Sequence, residues 1–473
     1  MKSVAFHNLG CKVNSYEMEV MQQNLREKGY KIVPFDEIAD IYIINTCTVT
    51  NIADRKSRQM LHRAKQLNPQ AVVVAAGCYV QTGKETVEKD ESIDLAIGNN
   101  RKKDIVSILE EYLQNREKVR EQENVRYVQT VSIDINGACD YEEMQLKHMG
   151  EHTRACIKIQ DGCNQFCSYC VIPYARGRVR SRRAEDVTEE IAGLVRAGCK
   201  EVVLTGIHIS SYGIDFQEAA WKAGESKRAE KGDRSEHRSS KLIDLIERIH
   251  DIEGLERIRL GSLEPRIIQE EFARRLSALR KICPHFHLSL QSGCDETLKR
   301  MNRHYTAGEY FTSVEILRKY FAYPAITTDV IVGFPGETEE EFTLTKKFLE
   351  KVRFYEMHIF KYSSREGTRA ASMPCQVPEP IKTKRSAQLL SLAESQSAAF
   401  RRRYIGREAE VLLEETREIC GGIYRVGHTG DYVKVAVESE GTNGEAANIF
   451  VKVLVKGFLT DEILLGELCA VES

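Results

Sequence analysis

The stretch Ile159–Arg178, IQDGCNQFCSYCVIPYARGR, carries Cys163, Cys167 and Cys170 in the spacing C-x3-C-x2-C. Three thiolates that close together can hold three irons of a cubane iron–sulfur cluster and leave the fourth iron open to a small molecule. A zinc ribbon would need paired C-x2-C knuckles or nearby histidines, and no histidine lies between His152 and His208. An electron-carrying ferredoxin would add a fourth cysteine in the same run. The triplet therefore predicts a cluster with an open iron. Cys156, a little upstream, reads as packing inside a strand.

Around the triplet, strand and helix patterns alternate. Six candidate strands run over Ala155–Gln160, Glu201–Gly206, Arg257–Ser262, His285–Leu290, Thr327–Val332 and Tyr355–Lys361. Helical stretches follow them, the clearest at Ala184–Ala197, Leu242–Ile252, Ile267–Arg280 and Thr338–Lys351. Six units predict a (βα)6 partial barrel, shorter than the closed eight-unit form of about 250 residues, with its chemistry in the loops after the strands. The triplet directly follows the first strand. A stretch at 215–241, dense in Lys, Arg, Glu and Ser and holding Trp221, reads as a solvated insertion, with an RNA-touching loop as the alternative.

The amino-terminal part reads as a small open parallel α/β sheet, with buried strands at Ser3–His7, Ile41–Asn45, Ala71–Ala76 and Leu95–Ile97. Cys11, Cys47 and Cys78 each fall just past one of the first three of these strands. Ligand sites in open parallel sheets form at the carboxyl ends of the strands. The three thiols therefore predict a second iron–sulfur site, against the plainer reading of cysteine as a small buried hydrophobe. From Tyr404 onward, short alternating strands between Gly, Asn and Asp turns predict a small all-β barrel. The expected division is 1–125 for the amino-terminal unit, 126–152 for a polar linker, 153–385 for the partial barrel and 402–470 for the β-barrel.

Charged residues make up 29% and hydrophobic ones 42% of 473 residues, the balance of a globular protein in water. No secretory signal opens the chain, and the longest apolar stretch, near Ala71–Val80, is far too short for a membrane span. Fourteen cysteines then read as reduced thiols of a cytoplasmic protein, some of them metal ligands.

The triplet after the first strand of a partial barrel resembles the radical S-adenosylmethionine (SAM) enzymes. Cys11, Cys47, Cys78 and the terminal β-barrel, similar to a TRAM domain of OB-like build, narrow the resemblance to the methylthiotransferases. Within them NLGCKVNSYE (8–17), NTCTVTNIADRKSRQ (45–59) and SLQSGCDETLKRMNRHY (289–305) resemble the branch that acts on threonylcarbamoyladenosine in tRNA. The resemblance implies two 4Fe-4S clusters. One, on Cys163, Cys167 and Cys170, would bind SAM and yield a 5′-deoxyadenosyl radical. The other, on Cys11, Cys47 and Cys78, would carry the sulfur, and a second SAM would give the methyl group. It also implies SAM contacts at Tyr169, Gly206, Glu264, Gln291 and Gly333, although plain strand–turn–helix geometry accounts for the glycines as well. An external electron donor and a sulfur source would be partners.

A tRNA substrate needs cationic surface. Arg176, Arg178, Arg180, Arg182 and Arg183 follow the cluster loop and are expected on the active-site rim. Tyr404, Tyr424 and Tyr432 could stack on bases. The readings that remain open are methylthiolation of isopentenyladenosine in tRNA, methylthiolation of a ribosomal-protein aspartate, and an iron–sulfur RNA-binding electron carrier.

Overall fold

The structure, a computed structural model, describes residues 1–123, 127–138, 140–150, 153–216, 234–439 and 447–469. Trp221, Cys139 and most of the charged insertion lie outside these residues.

Six parallel strands build the amino-terminal sheet: β1 (Ser3–Asn8), β2 (Lys31–Val33), β3 (Ile41–Thr46), β4 (Val72–Gly77), β5 (Leu95–Ile97) and β6 (Gln129–Val131). Their order is β2-β1-β3-β4-β5-β6. Every side chain of β3 and β4 is buried, as expected of parallel strands covered on both faces. Helix α1 (Lys12–Glu27) follows β1, and α2 (Asn51–Leu67) follows β3 with the Thr50 hydroxyl accepting from the Ala53 amide at its start. Two edge strands escaped the sequence pattern. β2 is short and mostly uncovered, and β6 lies inside the segment 126–152 expected as a linker. That segment is packed structure: Ile135, Met144 and Leu146 are buried, and the Leu146 amide donates to Glu190.

Strands β7 (Arg154–Asp161), β9 (Glu201–Gly206), β10 (Arg257–Leu260), β11 (His285–His287), β12 (Ala325–Val332) and β13 (Glu356–Lys361) form the partial barrel. With the short β8 (Arg180–Ser181) they divide into sheets β10-β9-β7-β8 and β11-β12-β13. Parallel bridges Ile258–Ile282 and Leu263–Leu288 connect the two. β8 is a two-residue antiparallel addition to the free edge of β7.

The carboxyl-terminal unit is a closed barrel of β14 (Glu408–Ile419), β15 (Gly422–Thr429), β16 (Lys434–Glu438), β17 (Ile449–Phe458) and β18 (Leu464–Leu468), closed by pairing of β14 with β17. It docks against the strand starts of the partial barrel. Arg257 donates to Glu410 at 2.9 Å, and Arg154 donates to Glu414 at 2.9 Å. The Tyr432 ring lies under the guanidinium groups of Arg154 and Arg259 and stacks with His428. Glu410 and Glu414 therefore serve docking, and Tyr432 is engaged by protein groups rather than open for a base. No helix among the described residues is long and apolar enough to cross a membrane.

Candidate active site

The loop after β7 carries the triplet. Gly162 turns the chain with φ +72°, and a Cβ there would meet the Arg178 carbonyl oxygen at 1.8 Å, so only glycine fits. The Cys163 amide donates to Gly177 O at 3.0 Å. Further along, the Ser168 amide donates to Met301 O, and Asn302 donates to Phe166 O. Burial pushes the Cys163 thiol up to about 11 and the Cys170 thiol up to about 12. Such thiols stay protonated until a metal replaces the proton. Arg303, half-buried over the Tyr305 ring, donates to the Cys167 sulfur at 3.3 Å. It was missed in the sequence reading, although it lies within the motif Ser289–Tyr305.

The second thiol set stands at the carboxyl edge of the amino-terminal sheet. Cys11 caps α1 after β1, Cys47 follows β3, and Cys78 follows β4. Because β1, β3 and β4 are neighbours in the sheet, these loops are neighbours too. A Cβ on Gly10 would meet the Cys47 sulfur at 3.1 Å. Cys11 is exposed, whereas Cys47 and Cys78 are buried. Burial pushes the Cys47 thiol up to about 11. In cluster-free protein, iodoacetamide should therefore label Cys11 first, with Cys47 slower by about tenfold or more at pH 8. Peptide mass spectrometry after timed quenching checks the order, and equal rates would contradict this placement.

Both thiol sets suit iron–sulfur clusters. One tetrahedral zinc with sulfurs at about 2.3 Å would hold them only about 3.8 Å apart. Among the described residues only His287, Asp329 and His358 bring three ligand atoms within 4.8 Å of one another; neither cysteine set does. That wider spread fits a multi-iron body. The charge balance agrees: beside the thiols, Lys102, Lys158, Arg176 and Arg180 are fully buried with Glu17 and Asp161, an excess of cations that anionic thiolate-bound clusters would offset.

This buried network joins the two sites. Arg176 donates to Glu17 at 2.6 Å, to Asp161 at 3.2 Å and to Asn14 Oδ1 at 2.5 Å. Asn14 also donates to Leu9 O and Thr46 O, beside Cys11 and Cys47. Glu17 receives Lys102 at 2.5 Å and Lys158 at 2.7 Å. Burial alone would raise the Glu17 carboxyl, but Arg176, Lys102 and Lys158 hold it well below the usual range. Asn99 donates both to the Cys78 sulfur and to Ala175 O in the triplet segment. Arg365 reaches from the partial barrel to Thr48 at 2.7 Å, next to Cys47. Each loop of the second thiol set thus has a tie to the partial barrel.

The expected RNA rim needs correction. Arg176, Arg180 and Arg182 are buried, Arg182 in an ion pair with Glu190. Burial with carboxylate partners removes them from contact with phosphate. Arg178 is exposed over the Phe166 ring, and Arg183 is exposed in a pair with Asp186.

The other expected contacts stand as follows. Tyr169 packs edge-on against Phe334. Glu264 is buried beside Arg266 and 3.9 Å from His208. Gly206 ends β9 against Gln160, and Gln291 is held by backbone bonds to Asp329 and Ile331. A Cβ on Gly333 would strike Lys382 at 2.3 Å, a packing reason for glycine there. Cys156 is half-buried and lines a cleft of 1430 Å³ with Lys12, Arg154 and His358.

Residues 3–98 match the family described as uncharacterized protein family UPF0004, and residues 157–349 match the radical SAM superfamily. The chain is 38% identical over 464 residues to threonylcarbamoyladenosine tRNA methylthiotransferase MtaB of Bacillus subtilis, covering 98% of this chain and 96% of that one. It is 33% identical to a tRNA-2-methylthio-N(6)-dimethylallyladenosine synthase of Methylacidiphilum infernorum, over 88% of this chain and 84% of the relative. In fold it is similar to the radical SAM methyltransferase TsrM of Kitasatospora setae, with a TM-score of 0.52 at 15% identity, covering 78% of this chain and 77% of that one. With the triplet after the first strand of a six-stranded partial barrel and relatives that match it almost end to end, the chain belongs to the radical SAM tRNA methylthiotransferases.

Proposed function

We propose that this enzyme places a methylthio group on C2 of N6-threonylcarbamoyladenosine next to the anticodon of tRNA. The observation that carries the reading is the pair of thiol sites tied together through Arg176, Asn14, Asn99 and Arg365. A reaction that removes a hydrogen and delivers sulfur to the same carbon needs both sites to face one substrate. Cys163, Cys167 and Cys170 would hold one 4Fe-4S cluster with SAM, and Cys11, Cys47 and Cys78 a second. When bound, these groups supply one-electron chemistry, the sulfur and the methyl group.

The chain's own residues position and shield that chemistry. Arg303 places a donor on the Cys167 sulfur, and Tyr169 with Phe334 forms an apolar wall beside the triplet. The Arg176 network fixes the separation of the two loops and excludes water from between them. Exposed Arg178, next to the triplet loop, is a cation suited to a phosphate of the anticodon loop. The carboxyl-terminal barrel reads as a TRAM domain. An external electron donor, an external sulfur source and a cytoplasmic setting complete the proposal.

Mass spectrometry of tRNA nucleosides from cells lacking the protein tests the substrate. Loss of 2-methylthio-threonylcarbamoyladenosine, with accumulation of its unthiolated precursor, is expected. Retention of that nucleoside with loss of methylthio-isopentenyladenosine would overturn the substrate assignment.

A further inference from the structure

We propose that His287, Asp329 and His358 form a binding site for a first-row divalent cation inside the partial barrel, apart from both thiol sites. The three residues sit on the consecutive parallel strands β11, β12 and β13. Asp329 stands directly opposite His358. His287 stands opposite Thr327, two positions before Asp329. Side chains two apart share a sheet face, so strand register places all three on one surface. Their ligand atoms lie within 4.8 Å of one another, close to the spacing of adjacent strands.

Two further features point to a cation. His287 Nδ1 lies 3.0 Å from the Thr327 hydroxyl, while Nε2 lies 3.3 Å from Asp329 Oδ2. A hydroxyl on the far nitrogen is the arrangement that orients a ligating imidazole. Asp329 forms no ion pair with Arg or Lys among the described residues; its charged contact is His287. The His358 ring lies nearly parallel to that of His287, with centroids 6.0 Å apart.

Two imidazoles and one carboxylate select zinc, iron(II) or manganese over calcium or magnesium. Ligand bonds of about 2.0–2.2 Å would draw the three side chains together by roughly an ångström, which side-chain rotation supplies. His358 is exposed and lines the 1430 Å³ cleft. The positions left open on the ion would therefore face that cleft and accept a water or an oxygen of a bound molecule.

The test uses cluster-loaded full-length protein and Mn2+ as the probe. Free Mn2+ is read from its room-temperature paramagnetic resonance signal, to which oxidised, diamagnetic 4Fe-4S clusters add nothing. One Mn2+ per chain, displaced by Zn2+, is expected. Thr327→Val should weaken binding by about tenfold, as loss of a ligand-orienting group does. Asp329→Asn and His358→Ala should weaken it further, and Cys47→Ala should leave it intact. His358 is exposed, so its replacement is compatible with folding, and the melting temperature of each variant checks this. The proposal is overturned if neither ion binds stoichiometrically. It is equally overturned if binding survives Asp329→Asn and His358→Ala, or vanishes in Cys47→Ala.

Discussion

Replacing Cys163 with Ala is expected to abolish reductive cleavage of SAM, lowering 5′-deoxyadenosine formation by about a thousandfold or more, equivalent to at least about 4 kcal/mol in the barrier. The three thiols of the triplet supply every cysteine on the loop after β7. Two ligands cannot hold three irons of a cubane, so the open iron that would anchor SAM is lost. Two controls make the result specific. Cys156→Ala, half-buried and outside the triplet, should retain cleavage. Cys47→Ala should still release 5′-deoxyadenosine but form no methylthio product, because it touches only the second thiol set. Cleavage persisting in Cys163→Ala would sink the assignment of the triplet.

Glu17→Gln is expected to destabilise the joint between the amino-terminal sheet and the partial barrel by about 3–5 kcal/mol, the usual effect of breaking a buried ion pair from one side. Glu17 receives Arg176, Lys102 and Lys158 in a fully buried setting, and a neutral amide would take the carboxylate from Lys102 and leave Arg176 and Lys158 to share Asp161. Hydrogen exchange across Lys12–Glu27 and urea unfolding of the full chain would measure the loss. Asp36→Asn is the contrast. Its partner Arg63 is largely exposed, and exposed pairs contribute about 0–1 kcal/mol. A Glu17→Gln protein as stable as the parent would refute the clamp.

The same carboxyl sets a pH dependence. Glu17 and Asp161 are both held below their ordinary values by neighbouring cations, outweighing the opposite pull of burial. Their stabilisation is therefore fully present above the unfolded carboxylate range, about 4, and fades only as pH falls through the lower folded values. The joint should hold through mild acid, with exchange in α1 rising only well below pH 4.

Much of the architecture was legible because it is written locally. Continuous apolar runs such as Ile41–Asn45 and Ala71–Ala76 read as short buried strands, and the structure has β3 and β4 there. What escaped is what local pattern does not encode. β2 and β6 are three-residue edge strands with little burial, and their pairing depends on a neighbour supplied from elsewhere. Arg365 and Arg303 carried no signal of their own, since an arginine's partner is a matter of distance in space.

Sequence alone determined the two cysteine sets and their position past strand ends, because ligand spacing and hydrophobic period are properties of contiguous residues. Only the tertiary structure decided the fate of the arginines after the triplet. YARGRVRSRR reads as a basic active-site rim for RNA, yet Arg176, Arg180 and Arg182 turn inward to carboxylates contributed by α1, β7 and the helix Ala184–Arg196. A buried guanidinium is tolerable only where such partners converge, and that convergence exists once α1 of the amino-terminal unit has packed against β7 and β9.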